Sequence, residues 1–329
     1  MWGTKNVYKF ILAIFPVLCF CGGLCCGRLP LSPAEVLGAL TGGDVSPEII
    51  TVVVFMRLPR LLLACLVGSS LAVAGCSYQG LFANPLATPD TLGVASGASF
   101  GAVLAILAGW PAAGIFVSAV TCGLAAVLLT GMVTESAGRG RITAVLAGIM
   151  IGSLFSSLVA LVKFTADTES ELPTVTYWLL GSLEGANYDV LVWGSPLLLF
   201  GLGLLYCLRW QLNFLPLDRD EALSTGVNID RLRKLTVFCA TLLTAVSVAL
   251  CGQVGWVGLI IPHLCRMAFG SNHRLLVPAS VSVGAGFMTV VDTLARSLTV
   301  QEIPVSILTA IVGAPFFLYL LKKGRGWNL

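Results

Sequence analysis

The chain has 329 residues, 57% of them hydrophobic and only 11% charged, against about 25% charged in ordinary soluble domains. With a mean hydropathy of +0.94, a water-soluble core of any layer architecture is excluded. The formal net charge of +3 is too small to imply a nucleic-acid-binding surface. What remains is a membrane protein that crosses the bilayer many times. Backbone groups in lipid must be satisfied internally, so spanning segments are helices or a closed barrel. Long apolar runs without alternation select helices, each needing about 20 residues to cross the hydrocarbon core.

Ten such runs are expected, at 8–27, 60–81, 92–109, 112–134, 142–164, 190–209, 234–251, 253–269, 275–296 and 304–322. After the first, "LSPAEVLGAL" carries Ser32, Pro33 and Glu35 as a helix start, which predicts a short surface helix. The second run opens on "FMRLPRLLL". Pro59 there is expected near a helix start, where its missing N–H is tolerated. Arg57 and Arg60 are expected at the membrane rim, where a guanidinium reaches water. The loop "NPLATPD", Asn84 to Asp90, is a plain turn or a constriction at a pore mouth. Residues 165–189 are acidic with an amphipathic middle.

The longest hydrophilic stretch, 211–233, reads "QLNFLPLDRDEALSTGVNIDRLR". Asp218 can cap a helix running through Leu223, Gly226 can end it, and Asn228–Asp230 can start another. A short helix–turn–helix is expected there, as a site for a soluble partner. The eighth run, "GQVGWVGLIIPH", holds three glycines and a proline and predicts a half-length or broken helix. Gly97 with Gly101, Gly148 with Gly152, and Gly68 with Ala72 and Gly75 stand at the spacing that lets helices approach closely.

An even number of spans puts both termini on one side. If that side is the cytoplasm, 14 of the 19 Lys and Arg residues face inward, which the positive-inside rule favours. Arg57, Arg60 and Arg296 then face outward, against the prevailing bias.

Catalytic signals are scarce. No GxxxxGK[ST] occurs, so the chain has no P-loop for ATP. Neither HExxH nor a CxxC pair supports metal chemistry, and no catalytic or metal-ligating set is predicted. The cysteines at 19, 21, 25 and 26 do not share one helical face and read as small hydrophobes. His263 is expected to hydrogen-bond at an inner helix end with Arg266, three residues on. Asp292 is the one acid well inside a run, with Arg296 one turn further on the same face, so the two are expected to pair. That pairing leaves no lone carboxylate for ion coupling. An ion-coupled secondary transporter is therefore the alternative function, and a membrane-embedded enzyme, lacking an adjacent nucleophile and base, a third.

Several strings together carry a resemblance. "RLPRLLLACLVGSSLAVAGCSYQGLFANPLATPDTLGVASGASFGA" (57–102), "GQVGWVGLIIPHLCRMAFGSNHRLLVPAS" (252–280) and "VDTLARSLTVQEIPVSILTAIVGAPFFLYLL" (291–321) resemble, in order, three signatures of the FecCD-like permeases. These are the membrane subunits of type II ABC importers for iron(III)–siderophores, haem and cobalamin. The segment "LNFLPLDRDEALSTGV" resembles their cytoplasmic coupling segment.

The resemblance implies an all-α polytopic fold of about ten transmembrane helices in two inverted halves, forming a single permease domain over 1–329 with coupling helices at 211–233. It implies a homodimer in the inner membrane, two ATP-binding cassette subunits beneath, and a periplasmic binding protein above. ATP and Mg are then held by the partner subunits, with no cofactor in this chain. By similarity, Arg57, Arg60 and Arg296 receive carboxylates of the binding protein. Asn84 and Leu86 fall at the cytoplasmic gate, and Glu221, Ala222 and Gly226 in the ATPase-coupling helices.

Iron(III)–siderophore is the commonest cargo of such permeases; no residue separates it from haem, cobalamin or an oxyanion such as molybdate. Asp218 and Ser306 stand where the family usually has glycine, and Trp256 where it has phenylalanine. A second gate of small polar residues, expected around Arg141 and Ile142, is not matched.

Overall fold

A helix occupies each of the ten expected runs in the computed structural model, which describes residues 2–138, 140–217, 221 and 226–323. The elements are α1 (Trp2–Cys25), α2 (Pro33–Thr41), α3 (Pro47–Ile50), a π-helical turn (Thr51–Arg57), α4 (Leu58–Phe82), α5 (Val94–Leu107), α6 (Ala112–Ser136) and α7 (Arg141–Thr165). They continue with α8 (Glu171–Leu179), α9 (Tyr188–Leu208), a 3₁₀ turn (Gln211–Phe214), α10 (Ile229–Cys251), α11 (Val257–Phe269), α12 (His273–Ser297) and α13 (Val305–Lys323). No strand occurs among the described residues.

Among the described residues, six helical runs are long and apolar enough to cross a membrane: 47–82, α6, α7, α9, α10 and α12. The apolar stretches of α1 and α13, and the whole of α5 and α11, are shorter. Ten runs were expected, the eighth of them half-length or broken; among the described residues six full-length and four shorter apolar helices are found. The shortness of α5 and α11 has a local cause. Non-helical backbone precedes each, with Pro85 and Pro89 before α5 and Gly252–Trp256 before α11. Trp256 itself sits at φ 69°, a conformation rarely adopted by bulky residues. The eighth run is thus the half-length helix that its glycines predict.

Pro59 does not begin its helix. Helical structure starts twelve residues earlier at Pro47 and runs unbroken through the π turn into α4. A proline inside a helix clashes with the preceding turn and removes a hydrogen bond. The wider π turn just upstream absorbs this, with the Leu58 N–H reaching back to the Val53 carbonyl.

Helix α4 is the hub, buried along nearly its whole length and packed by α9, α10, α11 and α12. A helix apolar all round must be buried this way. Small residues make the packing possible: a Cβ on Gly68 would lie 2.2 Å from the Gly284 carbonyl oxygen of α12, and one on Gly75 1.7 Å from that of Gly258 on α11. Gly97 and Gly101 of α5 meet α6 in the same manner, and Gly148 meets the Thr91 carbonyl. Interhelical hydrogen bonds add to the contacts, among them Tyr78 Oη with Thr241 Oγ1 (2.9 Å) and Ser69 Oγ donating to Val281 O (2.9 Å).

The short surface helix expected at Ser32 is present as α2, opened by a full capping box between Ser32 and Glu35. Asparagine side chains cap α9, α10 and α12, from Asn187, Asn228 and Asn272. Asn228 does not start a short second helix of a helix–turn–helix; its helix continues directly as the long α10. The first helix of that pair, from Asp218 to Leu223, lies outside the described residues apart from Glu221.

Candidate functional site

Three arginines distant in sequence converge at one end of the bundle. Arg57 closes the π turn, Arg60 stands in the first turn of α4, and Arg296 lies in the last turn of α12. All three are buried, with relative exposures of 4%, 8% and 8%, where the sequence predicts guanidinium groups reaching water. The end of α1 and the segment after it cover Arg57 and Arg296. Arg57 donates to the carbonyls of Leu24 (2.5 Å), Cys25 (3.3 Å) and Leu29. Arg296 donates to the carbonyl of Gly23. The last carbonyls of a helix have no partner within it and carry its negative dipole end, so the two arginines cap α1. Gly27 allows this: a Cβ there would come within 2.7 Å of Arg57 Nη2 and 2.8 Å of Arg296 Nη1.

Arg60 is held by carboxylates. Its Nε donates to Asp292 Oδ1 (2.8 Å), while Nη1 and Nη2 grip Glu302 at both oxygens (3.0 and 2.7 Å). This bidentate fork is the strong form of an Arg–carboxylate bond. Arg296 Nε lies 3.7 Å from Asp292 Oδ2. The expected pair between Asp292 and Arg296 is therefore present, but the closer partner of Asp292 is Arg60 on another helix.

An open pocket of about 400 Å³ lies over the cluster, its wall formed by Arg28, Arg57, Arg60, Arg296, Glu184 and Glu302, among others. Arg28 also donates to the carbonyl of Val300, in the loop that carries Glu302. Four arginines face two carboxylates here, with Asp292 fully buried beneath. Chemically the pocket is suited to receiving further carboxylates. Glu302, Glu184 and Arg28 are the members that reading the sequence missed. Glu302 stood in the third signature string, six residues after Arg296, and that proximity was the available signal.

The other expected site residues lie at the opposite end. Asn84 Oδ1 accepts the Leu86 N–H at 2.9 Å, a local turn that leaves the Leu86 side chain exposed. Glu221 and Gly226 are exposed, Gly226 with φ 75°; Ala222 lies outside the described residues. Arg141 of α7 donates to Pro216 O (2.7 Å), and Arg233 of α10 to Leu217 O (3.0 Å). Both thereby fasten the stretch that leads into residue 221. The expected hydrogen bond between His263 and the Arg266 side chain is absent. Both ring nitrogens of His263 are buried without a partner, and the ring lies against Phe316 and Phe317.

Comparison with known proteins matches residues 14–323 to the model of the FecCD transport family. The chain is 41% identical over 306 residues to the molybdate import system permease protein of Haemophilus influenzae, covering 91% of each. It is 37% identical over 279 residues to the cobalamin import system permease protein of Halobacterium salinarum, covering 84% of this chain and 75% of that one. Among solved structures, it resembles one described as an inward-facing conformation of a metal-chelate type ABC transporter. There the TM-score is 0.88 and the identity 39%, covering 97% of this chain and 99% of the other. Families of this kind are ABC transporter permease subunits, which carry transport and leave catalysis to other chains. With a helical bundle spanning the membrane, three signature strings in order and a match over nearly its whole length, this chain belongs to the FecCD transport family.

Proposed function

We propose that this chain is the membrane subunit of an importer driven by ATP hydrolysis in a separate partner, working as a homodimer in the inner membrane with both termini in the cytoplasm. A loaded binding protein docks on the outer face through its own carboxylates, which meet the pocket over Arg57, Arg60 and Arg296. Two ATP-binding subunits sit below, and the 211–233 segment, with Glu221, Ala222 and Gly226, passes their movement to the pathway helices. Asn84 and Leu86 narrow the cytoplasmic exit.

One observation carries this reading: a deep arginine cluster with an excess of positive charge, at the end of the bundle where the charge bias disfavours arginine. Charge-assisted, bidentate geometry makes arginine the suitable receiver of carboxylates. The exposed apolar side chains of α7, including Ile149, Met150 and Leu154, support a second copy across that face. Only 17% of the α6 span and 22% of the α7 span are buried within the chain, against 67% for α10 and for α12. An ion-coupled carrier fits poorly, because Asp292 is taken up by Arg60 and Arg296.

For the cargo we propose a metal in complexed form, an iron(III) chelate being the expectation from the signatures. Molybdate is a second reading, favoured by the 41% identical relative that imports it. Titrating the cognate binding protein with molybdate, a ferric siderophore, haem and cobalamin separates them, since that partner selects the ligand. The docking reading is tested by Arg57→Glu with Arg60→Glu in the assembled complex. Stimulation of ATPase activity by the binding protein is expected to vanish; unchanged stimulation overturns the docking role.

A further inference from the structure

Arg60, one of the three docking candidates, has no free fork for an incoming carboxylate. Both Nη atoms are held by Glu302 and Nε by Asp292. The two acids differ in access: the Asp292 side chain is fully buried, whereas that of Glu302 is 17% exposed and forms part of the pocket wall. A carboxylate entering the pocket meets Glu302 and cannot reach Asp292. Resting on the docking reading above, we propose that Glu302 is an internal stand-in for the partner's carboxylate. It occupies Arg60 until docking displaces it, and its release loosens the 298–304 loop and the start of α13.

The exchange is electrostatically sound. Replacing one carboxylate by another keeps Arg60 paired throughout, so no buried charge is stranded. What changes is the position of the chain that carries Glu302. Three residues on, the Val305 N–H donates to the Gly181 carbonyl (3.0 Å), and the Ser306 hydroxyl donates to the Leu180 carbonyl (2.5 Å). Next to it the Ser182 N–H donates to Cys251 O (2.9 Å), and Gly181 and Gly252 touch backbone to backbone. The ends of α8 and α10 and the start of α13 therefore meet in one junction, one helical turn's length of chain from Glu302. A second tie, from Arg28 to the Val300 carbonyl, holds the same loop to the pocket. Arrival of a binding protein is thus linked by contiguous contacts to the helix ends that would close the entrance.

The test uses the complete complex with its ATP-binding subunits in lipid nanodiscs and the cognate binding protein, comparing wild type with Glu302→Gln, Glu302→Ala, Ser306→Gly and Arg60→Glu. With Glu302 neutralised or removed, the binding protein is expected to bind about tenfold more tightly, as when one charge-assisted bond no longer has to be broken first. ATPase activity without binding protein is expected to rise toward the stimulated level. Ser306→Gly, which leaves the pocket intact, is expected to raise that unstimulated activity as well. If both Glu302 variants bind no more tightly while Arg60→Glu abolishes binding, docking stands and the stand-in role is overturned. If Arg60→Glu binds as wild type does, the docking reading itself fails.

Discussion

At the scale of single residues, the buried acid Asp292 is the keystone of the arginine cluster. It faces Arg60 at 2.8 Å and Arg296 at 3.7 Å with no exposure to solvent. Removing one member of such a buried group strands the others, typically at a cost of about 3–5 kcal/mol. Asp292→Asn is therefore expected to lower the temperature at which the purified protein loses its monodisperse state, and Asp292→Ala to lower it further. A thermal scan monitored by size-exclusion chromatography reads both; wild-type behaviour would show that the pair carries no structural weight. The three arginines were legible in the sequence because they defy the charge bias. Their partners were not. Arg60 and Asp292 stand 232 positions apart, and periodicity reports only neighbours on the same helix, so Arg296 alone was expected beside Asp292. Burial by the end of α1 was equally hidden, since it depends on Gly27 admitting two guanidinium groups.

At the scale of elements, the small-residue pairs read from the sequence mark real helix contacts, because backbone approach within van der Waals distance leaves no room for a side chain. Gly75→Val is expected to prevent accumulation of the folded protein, as its Cβ would overlap the Gly258 backbone. Gly131→Ala in α6, where nothing lies within 4 Å, is expected to accumulate as wild type does. Membrane-fraction yield with a fluorescent C-terminal fusion compares them directly, and equal yields would contradict the packing at α4. Helix starts were less visible than helix contacts. Pro59 reads as a start because proline favours the first turn; the π turn that carries it inside a longer run has no distinctive composition. The half-length α11 could be read in advance, since its glycines and proline break the hydrophobic run outright.

At the scale of the whole molecule, the described residues hold ten apolar helices, six of full spanning length; α4 is buried among its neighbours, while α6 and α7 are largely uncovered. Composition dictated a membrane protein, long apolar runs without alternation made it helical, and the three signature strings identified the family. Cargo was not legible, because no residue in the sequence separates one metal chelate from another or from an oxyanion. No P-loop motif occurs in the sequence, and permeases of this family work with separate ATP-binding subunits. In the proposed mechanism, ATP hydrolysis by those subunits, triggered by a docked binding protein, moves the cargo. Its most direct test is uptake of the binding protein's radiolabelled ligand into proteoliposomes containing the purified complex. Uptake is predicted only with ATP enclosed on the ATPase side and binding protein outside. Uptake driven by a proton or sodium gradient without ATP would contradict it.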